Sequence, residues 1–133
     1  MFNLPVKFKK IIKGLSVSSA YIFGSRASGK SGPLSDYDVA VLFDEKISPR
    51  RYFGLKLKLI GEFSVFFKSD KIDLVILNNA PLILAMNVIS HGKILFDKDK
   101  KYRTAFETYK MSLYFDRLPY EERHIQYMTE RYT

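Results

Sequence analysis

The sequence predicts an α/β (α+β) fold, a small mixed sheet of about four strands with helices packed mainly on one face. Three observations carry the prediction. Short apolar runs recur at about 19–23, 37–43, 71–77 and 93–96, closed off by Gly24, Asp44, Asn78 and Asp97. Longer segments between and after them space their apolar residues as helices do. The 133 residues suffice for one domain that buries roughly two thirds of the surface its unfolded chain exposes, and a second catalytic domain is not expected.

The elements follow in order. Phe8, Ile11, Ile12 and Leu15 fall on one helical stripe, with Lys7, Lys9, Lys10 and Lys13 around them. Pro5 suits the first turn of this helix and Gly14 its end. The strand at 19–23 runs into a Gly/Ser-rich turn, where Gly32-Pro33 prevents a long helix. After the strand at 37–43, Ser48-Pro49 reads as a helix start, and 52–67 as a helix with Phe53, Leu57 and Ile60 at helical spacing. The alternation of Leu55-Lys56-Leu57-Lys58-Leu59 favours a strand instead. The length of the segment and its place between two strands decide for a helical crossover.

The strand at 71–77 ends at Asn78-Asn79-Ala80-Pro81, a turn able to cap the next helix, whose buried face is Leu82, Leu84, Ala85, Val88 and Ile89. A short strand, Lys93 to Phe96, precedes a helix over about 99–115 with Tyr102, Phe106, Tyr109 and Leu113 on one stripe. Pro119 then separates a last polar helix, Tyr120 to Arg131, whose Glu121 and Glu122 suit the positive end of the helix dipole. The expected division is one domain over 1–133, with a core at about 5–97 and a helical extension at about 98–133.

Composition narrows the function classes. The chain has no cysteine, which excludes disulfides and thiolate metal sites and agrees with a reducing cytoplasm. No signal peptide is evident and no run approaches a membrane span, so a soluble, cytoplasmic protein is expected, with no membrane partner. The net charge of +8 suits a nucleotide, a nucleic acid or an acidic protein, but the lysines are spread at helix-surface spacing, as on an ordinary solvated face.

Residues 24–38 hold the chemistry. Gly24 and Ser25 stand where the chain leaves a strand and can turn backbone N–H groups outward, as phosphate oxygens require. Asp36 and Asp38 open the next strand on one face, ~7 Å apart, where two like charges repel by roughly 2 kcal/mol at an effective dielectric of 20. A hard cation such as Mg²⁺ answers that repulsion, since it takes one or two carboxylates and completes its shell with water and phosphate. Asp73, alternating with Val75 and Leu77 on the strand at 71–77, offers a third carboxylate in an otherwise apolar run.

Gly24-Ser25, ten residues, Asp36-x-Asp38 and a lone Asp73 on a later apolar strand together resemble the nucleotidyltransferase superfamily related to DNA polymerase beta. The start Gly24-Ser25-Arg26-Ala27 and the short length are similar to the minimal nucleotidyltransferases, the antitoxin half of HEPN/MNT toxin–antitoxin systems. The resemblance covers about residues 5–97; many relatives carry arginine where this chain has Ser28. It implies a polymerase beta-like fold and transfer of AMP from ATP, with release of pyrophosphate, to a hydroxyl of a cognate HEPN ribonuclease toxin, most simply a tyrosine. Such AMPylation makes the enzyme an antitoxin and implies a hetero-oligomer with its toxin.

The resemblance further implies two Mg²⁺ ions held by Asp36, Asp38 and Asp73, with Asp73 also able to accept the hydroxyl proton. Gly24 and Ser25 would cradle the β and γ phosphates, and Arg26 would add a charge-assisted hydrogen bond. Two rival readings stand beside it: a non-catalytic antitoxin, and a nucleotidyltransferase acting on a small molecule or a nucleic-acid end. Nucleic acid is admitted by charge but not favoured.

Residues 24–31 also match the phosphate-loop pattern Gly-x4-Gly-Lys-Ser in full. A phosphate loop needs a long helix from Lys30-Ser31, and Gly32-Pro33 leaves it no room. Tyr37, between the two aspartates, should face away from them into the core. His91 and His124 are isolated and read as structural.

Overall fold

The computed structural model describes residues 3–132, with side chains described through Leu118. Helix α1 (Val6–Gly14) leads into β1 (Val17–Phe23), a four-residue helix α2 (Ser25–Ser28) and β2 (Tyr37–Phe43). Helix α3 (Tyr52–Phe67), entered through a 3-10 turn at Pro49–Arg51, crosses to β3 (Ile72–Ile76). Helix α4 (Leu82–His91), strand β4 (Lys93–Asp97) and helix α5 (Lys100–Tyr132) complete the order. The strands form one mixed sheet in the order β3-β2-β1-β4. β1 is antiparallel to β2 and β4, and β2 is parallel to β3, as a helical crossover between them requires.

Alternation along the strands divides the core. Ile22, Val39, Val41 and Leu74 join the larger cluster, packed against Phe8 and Ile12 of α1 and Leu55, Leu59 and Phe63 of α3. The opposite face carries a smaller cluster in which Tyr21, Ala40 and Leu42 meet Ala85 and Val88 of α4, with Tyr102 and Phe106 of α5 against it. Ser48 caps the 3-10 turn, its Oγ accepting from the Arg50 N–H.

Five details differ from the sequence expectation. Helices cover both faces of the sheet, α1 and α3 one and α4 and α5 the other, where packing mainly on one face was expected. In α3 the buried stripe is Leu55, Leu59 and Phe63, whereas Phe53 and Leu57 are exposed. The helix is apolar nearly all round, so its composition did not choose a face. On α5, Tyr109 is exposed although it was expected on the buried stripe with Tyr102 and Phe106. The two expected C-terminal helices are one, running through Pro119, a residue that costs a helix one hydrogen bond without always ending it. Asn78 does not cap α4; its side-chain amide pairs with Phe43, accepting from the N–H at 2.8 Å and donating to the C=O at 3.2 Å. The side chain of His124 lies outside the described residues; His91 is exposed at the end of α4.

A polar network ties α5 to the sheet. Arg103 Nε donates to Asp97 Oδ2 at 2.9 Å and its Nη1 donates to Glu107 Oε1 at 2.8 Å. Ser19 Oγ donates to Asp97 Oδ1 at 3.1 Å, and the Tyr21 hydroxyl to Glu107 Oε1 at 2.8 Å. Burial, then the bond to Glu107, pushes the Tyr21 hydroxyl far above the ordinary tyrosine range, so it stays a donor. The Arg103 side chain is only 11% exposed, and its removal leaves half-buried Glu107 and the more open Asp97 without this cation. Arg103→Ala should therefore lower the unfolding free energy by about 1.5 kcal/mol in urea melts; a loss below about 0.5 kcal/mol would mark the network as peripheral.

Candidate active site

The site is built at the end of the sheet where β1 stops and β2 and β3 begin. Asp38 is the register partner of Phe23 on β1 and of Asp73 on β3. Paired residues on neighbouring strands point to the same face, here that of the smaller core cluster. Phe23, Asp38 and Asp73 thus lie in a row across three strands, with Gly24 just past the end of β1. Asp36 precedes β2 by one residue and Asp38 by two; it and Asp73 are exposed, and Asp38 is half-buried.

Gly24 is required twice over. Its backbone, φ 69° and ψ −152°, lies where side-chain-bearing residues scarcely go. A Cβ built on it would also stand 2.2 Å from Asp38 Oδ2, so the carboxylate packs directly on the glycine backbone. Gly24 O then accepts from the N–H groups of Ala27 and Ser28 and starts α2, whose first N–H groups have no partner within the helix. Gly29, at φ 79°, ends it, and no long helix follows, which removes the phosphate-loop alternative.

The loop that delivers Asp36 is braced from both sides. Arg26 Nη2 donates to Ser35 O at 2.8 Å, and its guanidinium lies 4.0 Å from the centre of the Tyr37 ring. Its Nε is buried without an acceptor. Lys71 Nζ donates to Leu34 O at 3.3 Å, and Tyr37 N–H to Lys71 O at 2.8 Å. Tyr37 also stacks on Phe67 in the larger core, away from the aspartates as expected.

Burial, followed by the charges of Asp73 and Asp36 and a hydrogen bond shared with Asp73, raises the Asp38 carboxyl above its ordinary 3.8. Among the described residues no three acidic or histidine side chains are already gathered as a metal-binding group. The carboxylates share one end of one face without closing on a point. Oxygen donors, concentrated negative charge and a strained ionised form at Asp38 fit a hard divalent cation, which would relieve all three together. Among the described residues no helix is long and apolar enough to cross a membrane.

Comparison with known proteins gives the site a context. A family profile described as "Polymerase beta, Nucleotidyltransferase" matches residues 7–101. The protein adenylyltransferase MntA of Aphanizomenon flos-aquae (strain 2012/KM1/D3) is 38% identical over 86 residues, 58% of this chain and 55% of that protein, so the match spans about half the length of the curated relative. A crystal structure of a toxin–antitoxin with AMP-PNP contains a chain similar at TM-score 0.68 and 26% identity, over 93% of this chain and 99% of that one. A mutant MntA–HpeT toxin–antitoxin crystal structure is similar at TM-score 0.61 and 27% identity, over 90% of this chain and 96% of that one. The complex of tri-AMPylated Shewanella oneidensis HEPN toxin with MNT antitoxin shares the fold at TM-score 0.61 and 22% identity, over 92% and 97% of the two chains.

The raised Asp38 carboxyl makes a signed prediction. The folded state holds this proton more tightly than the unfolded chain, so ionising Asp38 destabilises the fold; the penalty is absent below 3.8 and complete above the raised folded value. Without divalent ions, Asp38→Asn should raise the melting temperature at pH 7 and leave it unchanged at pH 3. A variant melting lower than the parent at pH 7 would contradict the assigned strain.

Proposed function

The chain belongs to the polymerase beta nucleotidyltransferase family, and from that premise we propose that it is an adenylyltransferase antitoxin that moves AMP from ATP to a tyrosine hydroxyl of a cognate HEPN toxin. One observation carries the proposal: Asp38 and Asp73 stand in register on adjacent strands, with Gly24 packed on Asp38 at the end of a third. A relative named a protein adenylyltransferase and a structural neighbour crystallised with AMP-PNP support the nucleotide and the reaction class. The whole chain is read as one nucleotidyltransferase domain with α5 as its helical extension. It would act in the cytoplasm, where ATP is available, in a hetero-oligomer with its toxin.

The residues divide the work by position. Gly24 and Ser25 offer backbone N–H groups and a hydroxyl to the β and γ phosphates, on the β1 side of Asp38. Arg26 adds positive charge beside the triphosphate while its bond to Ser35 holds the Asp36 loop. The net charge of +8 favours the approach of the anionic nucleotide. Asp36, Asp38 and Asp73 would hold two Mg²⁺ ions, which when bound supply charge neutralisation at the phosphates and a lowered pKa for the attacking hydroxyl.

In the transfer the tyrosine oxygen forms a bond to the α-phosphorus as the bond to the bridging oxygen breaks. Pyrophosphate leaves with the electron pair. Exposed Asp73, on β3 across β2 from the strand that leads into Gly24, accepts the proton released by the hydroxyl.

Incubation of the chain with its full-length toxin, labelled ATP and Mg²⁺ tests the reading. Label should appear on a toxin tyrosine, and Asp36→Asn combined with Asp38→Asn should abolish transfer while leaving the circular dichroism spectrum unchanged. Undiminished turnover in the double variant would remove carboxylate-held metal from the account. Label on a small molecule or RNA end, and none on toxin, would replace the acceptor.

A further inference from the structure

β3 is an edge of the sheet; its outward backbone groups have no strand partner among the described residues. A groove of about 500 Å³ follows this edge from Asp73 to Ile76. Tyr52, Phe53 and Lys56 of α3 wall it on one side, and Pro81 and Leu84 at the start of α4 on the other. Phe53 is 71% exposed and, unlike the exposed Leu57 and Val65 of the same helix, lines this groove.

We infer that this groove is the docking site for the acceptor segment of the protein substrate, which adds to β3 as an extended strand and delivers its tyrosine to Asp73. The inference rests on the adenylyltransferase reading above and names where its protein substrate sits. Three observations choose this occupant. The phosphate grip at Gly24 lies on the β1 side of Asp38, so the space beyond Asp73 is left to the acceptor. Asp73 belongs both to the carboxylate row and to the groove, which makes the two continuous. A free strand edge offers backbone hydrogen bonds that any extended polypeptide satisfies, and the apolar walls offer places for its alternate side chains. A nucleotide base would pair with one backbone donor and acceptor at most and leave the rest of the strand edge unused.

The experiment uses the full chain and its full-length toxin, with AMP incorporation measured against toxin concentration. Phe53→Asp puts a charge into the groove at an exposed position. It should raise the KM for toxin about tenfold or more, with affinity for a fluorescent ATP analogue in Mg²⁺ and the melting temperature unchanged. In a second measurement, a benzophenone amino acid at position 53 should crosslink to toxin residues flanking the modified tyrosine. An unchanged KM in the variant, or crosslinks remote from that tyrosine, would overturn the docking site while leaving the adenylyltransferase reading intact. Lost nucleotide affinity with unchanged KM would assign the groove to the nucleotide instead. A parent chain that transfers nothing to toxin would mark failure of the reading itself.

Discussion

The like-charge contact between Asp38 and Asp73 is the constraint on which the rest of the structure depends. Parallel pairing of β2 and β3 sets the two carboxylates side by side at the start of both strands, and Asp36 adds a third charge two residues upstream. A fold selected for stability alone would not keep three acids there, because Asp73 and Asp36 raise the cost of ionising Asp38. In the proposed function a cation and a polyphosphate would make the arrangement favourable, and the unfavourable term in the free chain would then be recovered on binding.

The surrounding structure keeps that conflict in place. The register between β2 and β3 is fixed by alternation, since a slip by one residue would turn Val39 and Leu74 out of the larger core and bring the aspartates into it. Gly24 gives up a side chain so that β1 can end against Asp38. Arg26 and Lys71 hold the intervening loop by its carbonyls. Farther off, Arg103 and its partners anchor α5 to β1 and β4, so the strand that leads into Gly24 is braced by the C-terminal helix.

Much of this was legible in the residues. The strand at 37–43 and the helix at 52–67 were read with their observed extent, because a Gly/Pro turn and a Ser-Pro start bound them chemically. The Gly-Ser turn and the three aspartates were found as a set, because they combine outward N–H groups with alternating carboxylates. Three things were not legible. The buried face of α3 was not identified because apolar residues surround the helix, so the helical spacing of Phe53, Leu57 and Ile60 did not mark which side packs. The bond from Arg26 to Ser35 depends on a loop whose path no periodicity describes. The groove along β3 exists only because that strand ends the sheet, a property of strand order and not of local sequence.

The most direct test of the central claim is calorimetric titration of the intact chain with ATP, in Mg²⁺ and again in excess EDTA. The account predicts saturable binding in Mg²⁺ and none in EDTA, because the carboxylate row repels the triphosphate until a cation joins them. Equal binding in EDTA, or none in either condition, would contradict it.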